Sequence, residues 1–142
     1  MKTTIEILGK GGDGTQTLAN IIGEAAVLEK KNCSFYPVYD AMVRGGVSNS
    51  RIIISNDEIL NPIVEIIDII IDLNNDNTTL KIGDDIKKNK KLLGIFLIGA
   101  VVTKILKKES LITAIKNNIS EEHCTQNIEA FKAGIVAEMD KK

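Results

Sequence analysis

Thr3-Thr-Ile-Glu-Ile-Leu8-Gly9-Lys10-Gly11-Gly12-Asp13-Gly14 runs from a short alternating apolar stretch straight into a cluster of glycines. The first six residues read as a strand. Immediately after the cluster, Leu18, Ile21, Ile22, Ala25 and Ala26 recur at helical spacing, which predicts an amphipathic helix over 15–30. Cys33-Ser-Phe-Tyr-Pro-Val38 is the next strand, with Pro37 ending it or placing it at a sheet edge because proline has no amide to donate. Strand, glycine turn, helix and strand make a βαβ unit, and the chain is expected to be an α/β domain.

Further along, Ser50-Arg-Ile-Ile-Ile-Ser55, turn residues Asn56-Asp57 and a return at Glu58-Ile-Leu60 suggest a hairpin. Ile66–Leu73 is almost wholly β-branched, as in a strand buried on both faces of a parallel sheet. Residues 74–91 form a polar connection with one weak strand at Leu80–Ile82. Leu92–Lys107 reads as a buried helix, Ser110 as the cap of another with Leu111, Ile112 and Ile115 inward, and a last helix starts near Thr125 with Ile128, Phe131, Ile135 and Met139 on one stripe. The expectation is one Rossmann-like domain spanning 1–142, with a mostly parallel sheet and helices on both faces.

Composition excludes several functions. Lys+Arg 18 against Asp+Glu 19 gives a net charge of -1, with only Arg44 and Arg51 as arginines, so nucleic-acid readout is not expected. The longest apolar run, Leu92–Val102, is 11 residues, against about 20 for a membrane span. Cys33 and Cys124 are far apart and match neither a zinc nor an iron–sulfur ligand pattern. With no secretory start, a reducing cytoplasm is expected. The single histidine, His123, is a solvated helix-end residue on this reading, with no second histidine to share a metal.

Two loops remain as candidate sites. Gly9, Gly11, Gly12 and Gly14 fit G-x-G-x-x-G in a strand-to-helix context, where free amides at a helix start can meet an anion. A dinucleotide site also needs an acid about 20 positions on, where this chain has Ser34 and Phe35. Dinucleotide binding, phosphate or partner contact, and a purely structural turn all stay open. Gly12-Asp13-Gly14 imitates a thiamine diphosphate signature, but no Asn pair follows before Asn74-Asn75. The second loop, Tyr39-Asp40-Ala-Met-Val-Arg44-Gly45-Gly46-Val-Ser48-Asn49-Ser50, offers one guanidinium fork on an adaptable backbone with short polar groups beside it. Both loops follow strands, so they are expected to be neighbours. The lysines of 81–91 read as a solvated stretch.

The glycine loop, Gly23-Glu-Ala-Ala26, Tyr39-x-x-x-x-Arg44-Gly45-Gly46 and Ser48-Asn49-Ser50 together resemble the gamma subunit of 2-oxoacid:ferredoxin oxidoreductases. The resemblance covers 4–73 and continues more weakly through Leu92–Ala100 and Asn127–Gly134. It implies a subunit inactive alone, with no catalytic residue or metal ligand of its own. Its holoenzyme decarboxylates a 2-oxoacid on thiamine diphosphate with Mg2+, passes electrons through iron–sulfur clusters to ferredoxin and forms an acyl-CoA. The resemblance also implies alpha and beta partners, possibly with a delta subunit. The Arg-Gly-Gly-Val-Ser-Asn-Ser wording is slightly closer to the 2-oxoglutarate branch than to the pyruvate branch. The family usually has Gln at position 13 and a longer segment where this chain has 74–91. A free-standing nucleotide- or phosphate-binding module is the alternative, and a ligand-free assembly protein a third reading.

Overall fold

The computed structural model describes residues 1–39, 46, 48–59, 66–74 and 80–140. In chain order these form β1 (Lys2–Leu8), α1 (Thr15–Leu28), β2 (Asn32–Tyr39), β3 (Ser48–Ser55), β4 (Ile69–Asp72), α2 (Asp84–Lys87), α3 (Lys90–Val101), a 3-10 turn (Val102–Lys104), α4 (Lys108–Asn118) and α5 (Glu121–Asp140). The α/β class and the opening strand–glycine turn–helix stand as read from the sequence.

The sheet is mixed rather than mostly parallel. Its order is β2-β3-β1-β4, with β1 parallel to β4 and β3 antiparallel to both β1 and β2. β3 enters between β1 and β2, so the βαβ unit is split, and Pro37 lies in an edge strand opposite Ser50. With both its edges taken, β3 has none left for the expected hairpin return. Glu58 and Ile59 form no strand, and Leu60 lies outside the described residues.

Helices on both faces were expected; among the described residues they cover one. Ile5 pairs with Ile52, Thr3 with Ile54 and Ile7 with Ser50, which puts these side chains on a single face. There Ile5, Ile7, Ile52, Ile54 and Ile71 join Leu18, Ile21, Ile22 and Ala25 of α1 and Leu92, Ile95 and Phe96 of α3 in one core. The opposite face pairs Thr4 with Ile53 and Glu6 with Arg51, the latter an ion pair at 3.4 Å. Thr4 and Ile53 are themselves buried there, at 5% and 1% exposure, but neither joins the helix-packed core, and Glu6 and Arg51 keep the face polar beside them. β4 is likewise not buried on both sides: Ile71 is buried while Ile70 is 58% exposed. β4 is anchored at its start by Asp68, whose carboxylate accepts the Thr4 amide at 2.9 Å.

The helices differ from expectation mainly at their ends. α1 stops at Leu28, where Lys30 turns left-handed at φ 59. Its end is pinned by Glu29, which accepts the Lys107 amide at 2.7 Å, while Lys31 Nζ donates to the Ile105 carbonyl at 3.1 Å. The helix expected over 92–107 is α3 plus the 3-10 turn. α4 begins at Lys108 with Lys107 as cap, so Ser110 lies inside it. α5 starts at Glu121, not Thr125, and its buried stripe is Asn127, Ala130, Phe131 and Gly134, leaving Met139 exposed. Leu80–Ile82 form no strand, and part of the polar connection is the short helix α2.

Ile22 is fully buried between α1 and the sheet. Ile22→Ala is expected to cost about 2–5 kcal/mol, read as a lower denaturant midpoint with an unchanged slope.

Candidate functional site

The glycine loop leaves the carboxyl end of β1 and is stitched to the start of β3. Ser48 N donates to the Gly9 carbonyl at 3.1 Å, Gly11 N to the Gly46 carbonyl at 3.0 Å, and Gly9 N to Asn49 Oδ1 at 3.2 Å. The hydroxyls of Thr15 and Ser48 lie 3.1 Å apart. The two candidate loops are therefore neighbours, as the strand-end argument requires. Gly9, Gly11, Gly12, Gly14, Gly46, Ser48 and Asn49 gather in one place. Tyr39 ends β2 opposite Ser48 in register. Asp40, Arg44 and Gly45 lie outside the described residues.

Three of the four loop glycines have a local reason. Gly12 and Gly14 have φ of 93° and 83°, a region where other residues are strained. A Cβ on Gly9 would sit 2.5 Å from Thr15 Cγ2. Gly14 is the left-handed N-cap of α1 and supplies no side-chain cap, so the first amides of that helix lack helical partners. Asp13 does not face outward for a metal. Its carboxylate accepts the Lys10 amide at 2.8 Å and lies 3.6 Å from Lys90 Nζ, a tie between the loop and the start of α3. That pairing accounts for an acid at position 13 by loop closure.

Above the loop, a cavity of about 810 Å³ opens between the start of α1 and the C-terminal helices. Gly11, Gly12, Gln16 and Thr17 line one wall, and Asn118, Ser120, His123, Gln126 and Asn127 the other. Lys91 also lines it, its stem placed so that a Cβ on Gly14 would meet Lys91 Cγ at 3.4 Å. Asn127 is only 7% exposed and donates from Nδ2 to the His123 carbonyl at 2.9 Å. His123, in the first turn of α5, pairs with Glu122 at 3.0 Å and stays mostly exposed. The cavity thus offers free amides and one ammonium on the loop side and carboxamides on the helix side. That is a surface for an anionic or hydrogen-bonding group, with no nucleophile–base pair among its lining residues.

Sequence reading missed the helix-side wall. Lys90 pairs with Asp13 of the glycine loop and the exposed Lys91 lines the cavity, whereas Lys81, Lys87 and Lys88 are exposed as the solvated reading expects. A signal was present in Asn89, whose side chain caps α3 by accepting from Lys91 N at 3.1 Å. The insertion of β3 also bears on the dinucleotide reading. The end of β2, where an acid would meet a ribose, stands one strand away from β1.

Residues 4–94 match the family described as pyruvate ferredoxin/flavodoxin oxidoreductase. The chain is 28% identical over 123 residues to the ketoisovalerate oxidoreductase subunit VorA of Methanothermobacter marburgensis, covering 85% of this chain and 25% of VorA. It therefore spans about a quarter of that curated relative's length. Its fold superposes on a chain of the 2-oxoglutarate:ferredoxin oxidoreductase from Magnetococcus marinus, a structure with 2-oxoglutarate, coenzyme A and succinyl-CoA bound. The TM-score is 0.82 at 14% identity, over 99% of this chain and 32% of that one. The gamma subunit of the keto/oxoacid ferredoxin oxidoreductase from Geobacter sulfurreducens superposes with a TM-score of 0.73 at 21% identity, over 98% and 97% of the two chains. At these identities the superpositions establish a shared fold.

Proposed function

The chain belongs to the pyruvate ferredoxin/flavodoxin oxidoreductase family, and we propose that it is the gamma-type subunit of a 2-oxoacid:ferredoxin oxidoreductase, inactive until assembled. The observation that carries this reading is the near-complete mutual coverage with a gamma subunit, 98% and 97%. All of 1–142 is read as one such domain, with 74–91 as its shortened segment, working in the cytoplasm. Among the described residues no helix is long and apolar enough to cross a membrane.

The holoenzyme would carry out oxidative decarboxylation of a 2-oxoacid to an acyl-CoA with ferredoxin as acceptor. Thiamine diphosphate with Mg2+ supplies the carbanion chemistry when bound, and iron–sulfur clusters carry the electrons. The donor set of this chain does not fit those groups. Asp13 is held by Lys10 and Lys90, and among the described residues no three His, Cys, Asp or Glu side chains gather. The family resemblance places these groups on alpha and beta partners, possibly with a delta subunit. This chain's contribution is the loop pair: Gly9, Gly11, Gly12 and Gly14 with Tyr39, Arg44, Gly45, Gly46, Ser48 and Asn49. The first amides of α1, which lack helical partners, and the Arg44 fork would meet a phosphate or carboxylate on the coenzyme A side, or a partner's loop.

Anaerobic capture of the tagged chain from its native cells is the test, with partners identified by mass and clusters by visible absorbance. A brown complex with a thiamine-dependent pair supports the subunit reading; a colourless solitary protein overturns it. A panel of 2-oxoglutarate, pyruvate and ketoisovalerate then chooses the substrate, the last suggested by the name of VorA. Arg44→Ala is expected to lower turnover of the complex at least tenfold while leaving the thermal midpoint of the isolated chain unchanged. Full activity would remove Arg44 from the site. The cavity favours one other reading, a free-standing nucleotide- or phosphate-binding module, which requires direct affinity for NAD, FAD, FMN or CoA without partners.

A further inference from the structure

One residue of the glycine loop is missing from the cavity wall. From Gly11 to Leu18 every residue lines the cavity except Asp13. The Asp13 side chain is folded back instead. Its Oδ2 accepts the Lys10 amide at 2.8 Å, and the Asp13 amide donates to the Lys10 carbonyl at 3.0 Å, so residues 10–13 close on themselves. The same carboxylate oxygen lies 3.6 Å from Lys90 Nζ. Two adjacent lysines are thereby divided: Lys91 lines the cavity, and Lys90, the first residue of α3, goes to Asp13. Asn89 caps the helix just before them, accepting from the amides of Lys91 and Leu92, which fixes where that turn begins. Among the described residues that line the cavity none is Asp or Glu, and the side chains there that can carry charge are Lys91 and His123.

We infer that Asp13 and Lys90 are a positioning pair, in which Lys90 is the counter-charge that lets a carboxylate sit in this loop without repelling an anionic group bound beside it. The inference rests on the proposed reading of the loop as the contact for a phosphate or carboxylate. It deepens that reading by giving a role to two residues that do not touch the bound group. Stability is not a sufficient role for the pair. The Lys90 side chain is 41% exposed and that of Asp13 15%, and an ion pair near the surface contributes little to folding. Closing the loop needs only an acceptor for the Lys10 amide, which an uncharged side chain also supplies. What the charges add is a field at the neighbouring amides. Unpaired, the Asp13 carboxylate would oppose any anion at Gly12 and Gly14. Paired, the two charges largely cancel, and the Lys91 ammonium is left to attract.

The full purified chain, isotope-labelled for amide resonances, tests this with inorganic phosphate as the probe, at low ionic strength where screening is weakest. Phosphate is expected to shift the amides of Gly11, Gly12 and Gly14 in the wild type. Lys90→Met is expected to weaken that binding about fivefold, the effect of one unit charge at short range in a largely aqueous medium. Asp13→Asn, which keeps an acceptor for the Lys10 amide, is expected to tighten it by a similar factor. The double variant, Lys90→Met with Asp13→Asn, is expected to return to the wild-type affinity. A structural tie cannot give that rescue, since the double variant has lost the tie. Unchanged affinity in Lys90→Met overturns the inference. So does a double variant as weak as Lys90→Met, which would make Lys90 itself the contact, and so does phosphate that leaves the three glycine amides unmoved. Lys90→Gln takes the place of Lys90→Met if the latter does not fold. The subunit reading is decided separately by partner capture: a chain that finds no partners but shows the rescue keeps the pair and loses that reading.

Discussion

Gly134→Ala is expected to destabilise the chain by at least about 3 kcal/mol, the upper end of what overpacking a core costs. The reason lies in how α3 and α5 meet. A Cβ on Gly134 would stand 1.9 Å from the Phe96 carbonyl oxygen and 3.1 Å from the Ala100 amide nitrogen. The contact is reciprocated, since a Cβ on Gly99 would stand 2.1 Å from the Phe131 carbonyl oxygen. Both obstacles are backbone, so no rotamer change relieves them and the helices must move apart. That separation would reopen the packing of Phe96 and Phe131, both fully buried. Alanine's helical preference, worth about 1 kcal/mol over glycine, opposes the loss without reversing it. Gly23→Ala is the control. It is also helical, but its added Cβ meets only Cys33 Sγ at 3.3 Å, so a near-neutral change is expected. Chemical denaturation of the three proteins checks both. An unchanged midpoint for Gly134→Ala would mean that α3 and α5 do not approach this closely, against a total stability of about 5–15 kcal/mol for a domain of this kind.

Those glycines show where sequence reading stops. The opening of the chain was legible because its signals are local. A glycine run after a strand and apolar residues at helical spacing fix β1, the loop and α1 within 28 residues. The order of the sheet was not legible, because nothing in Ser50-Arg-Ile-Ile-Ile-Ser55 says that it inserts between two earlier strands. The residues that would have said so are Glu6 and Arg51, an ion pair on the face that the described helices leave alone. They become informative only once the register sets them side by side. The candidate site divides in the same way. The motifs pointed to its loop half, and the expected neighbourhood of the two loops is seen in the Gly9 N to Asn49 Oδ1 hydrogen bond of 3.2 Å. Its helix half, Asn118 and Asn127 among others, comes from far along the chain and carries no local pattern. A buried asparagine in mid-helix was the available hint, since such a side chain normally needs a partner.

Gly14→Val bears on that junction more directly than any other substitution. Gly14 holds φ 83° as the cap of α1, and a left-handed conformation costs a residue with a Cβ about 1–2 kcal/mol, with more for a β-branched one. Valine would relieve the strain by returning to negative φ, which swings Thr15 away from Ser48 and unpicks the hydrogen bonds that tie the loop to β3. The new side chain would also press on the Lys91 stem. The isolated chain is expected to lose several degrees of thermal midpoint, and the assembled enzyme at least tenfold in turnover. Two comparisons separate conformation from bulk. Gly14→Asn, a residue that tolerates the left-handed region, should recover most of both losses. Gly12→Ala, where φ is 93° but no atom lies within 4 Å of the added Cβ, should show the backbone cost alone. If Gly14→Val turns over like the wild type while its midpoint falls, the loop supports the fold and touches neither ligand nor partner. If Gly14→Asn restores the midpoint but not the turnover, the bare backbone at Gly14 is itself the contact surface, because stability and conformation are then matched and only the room above the loop differs.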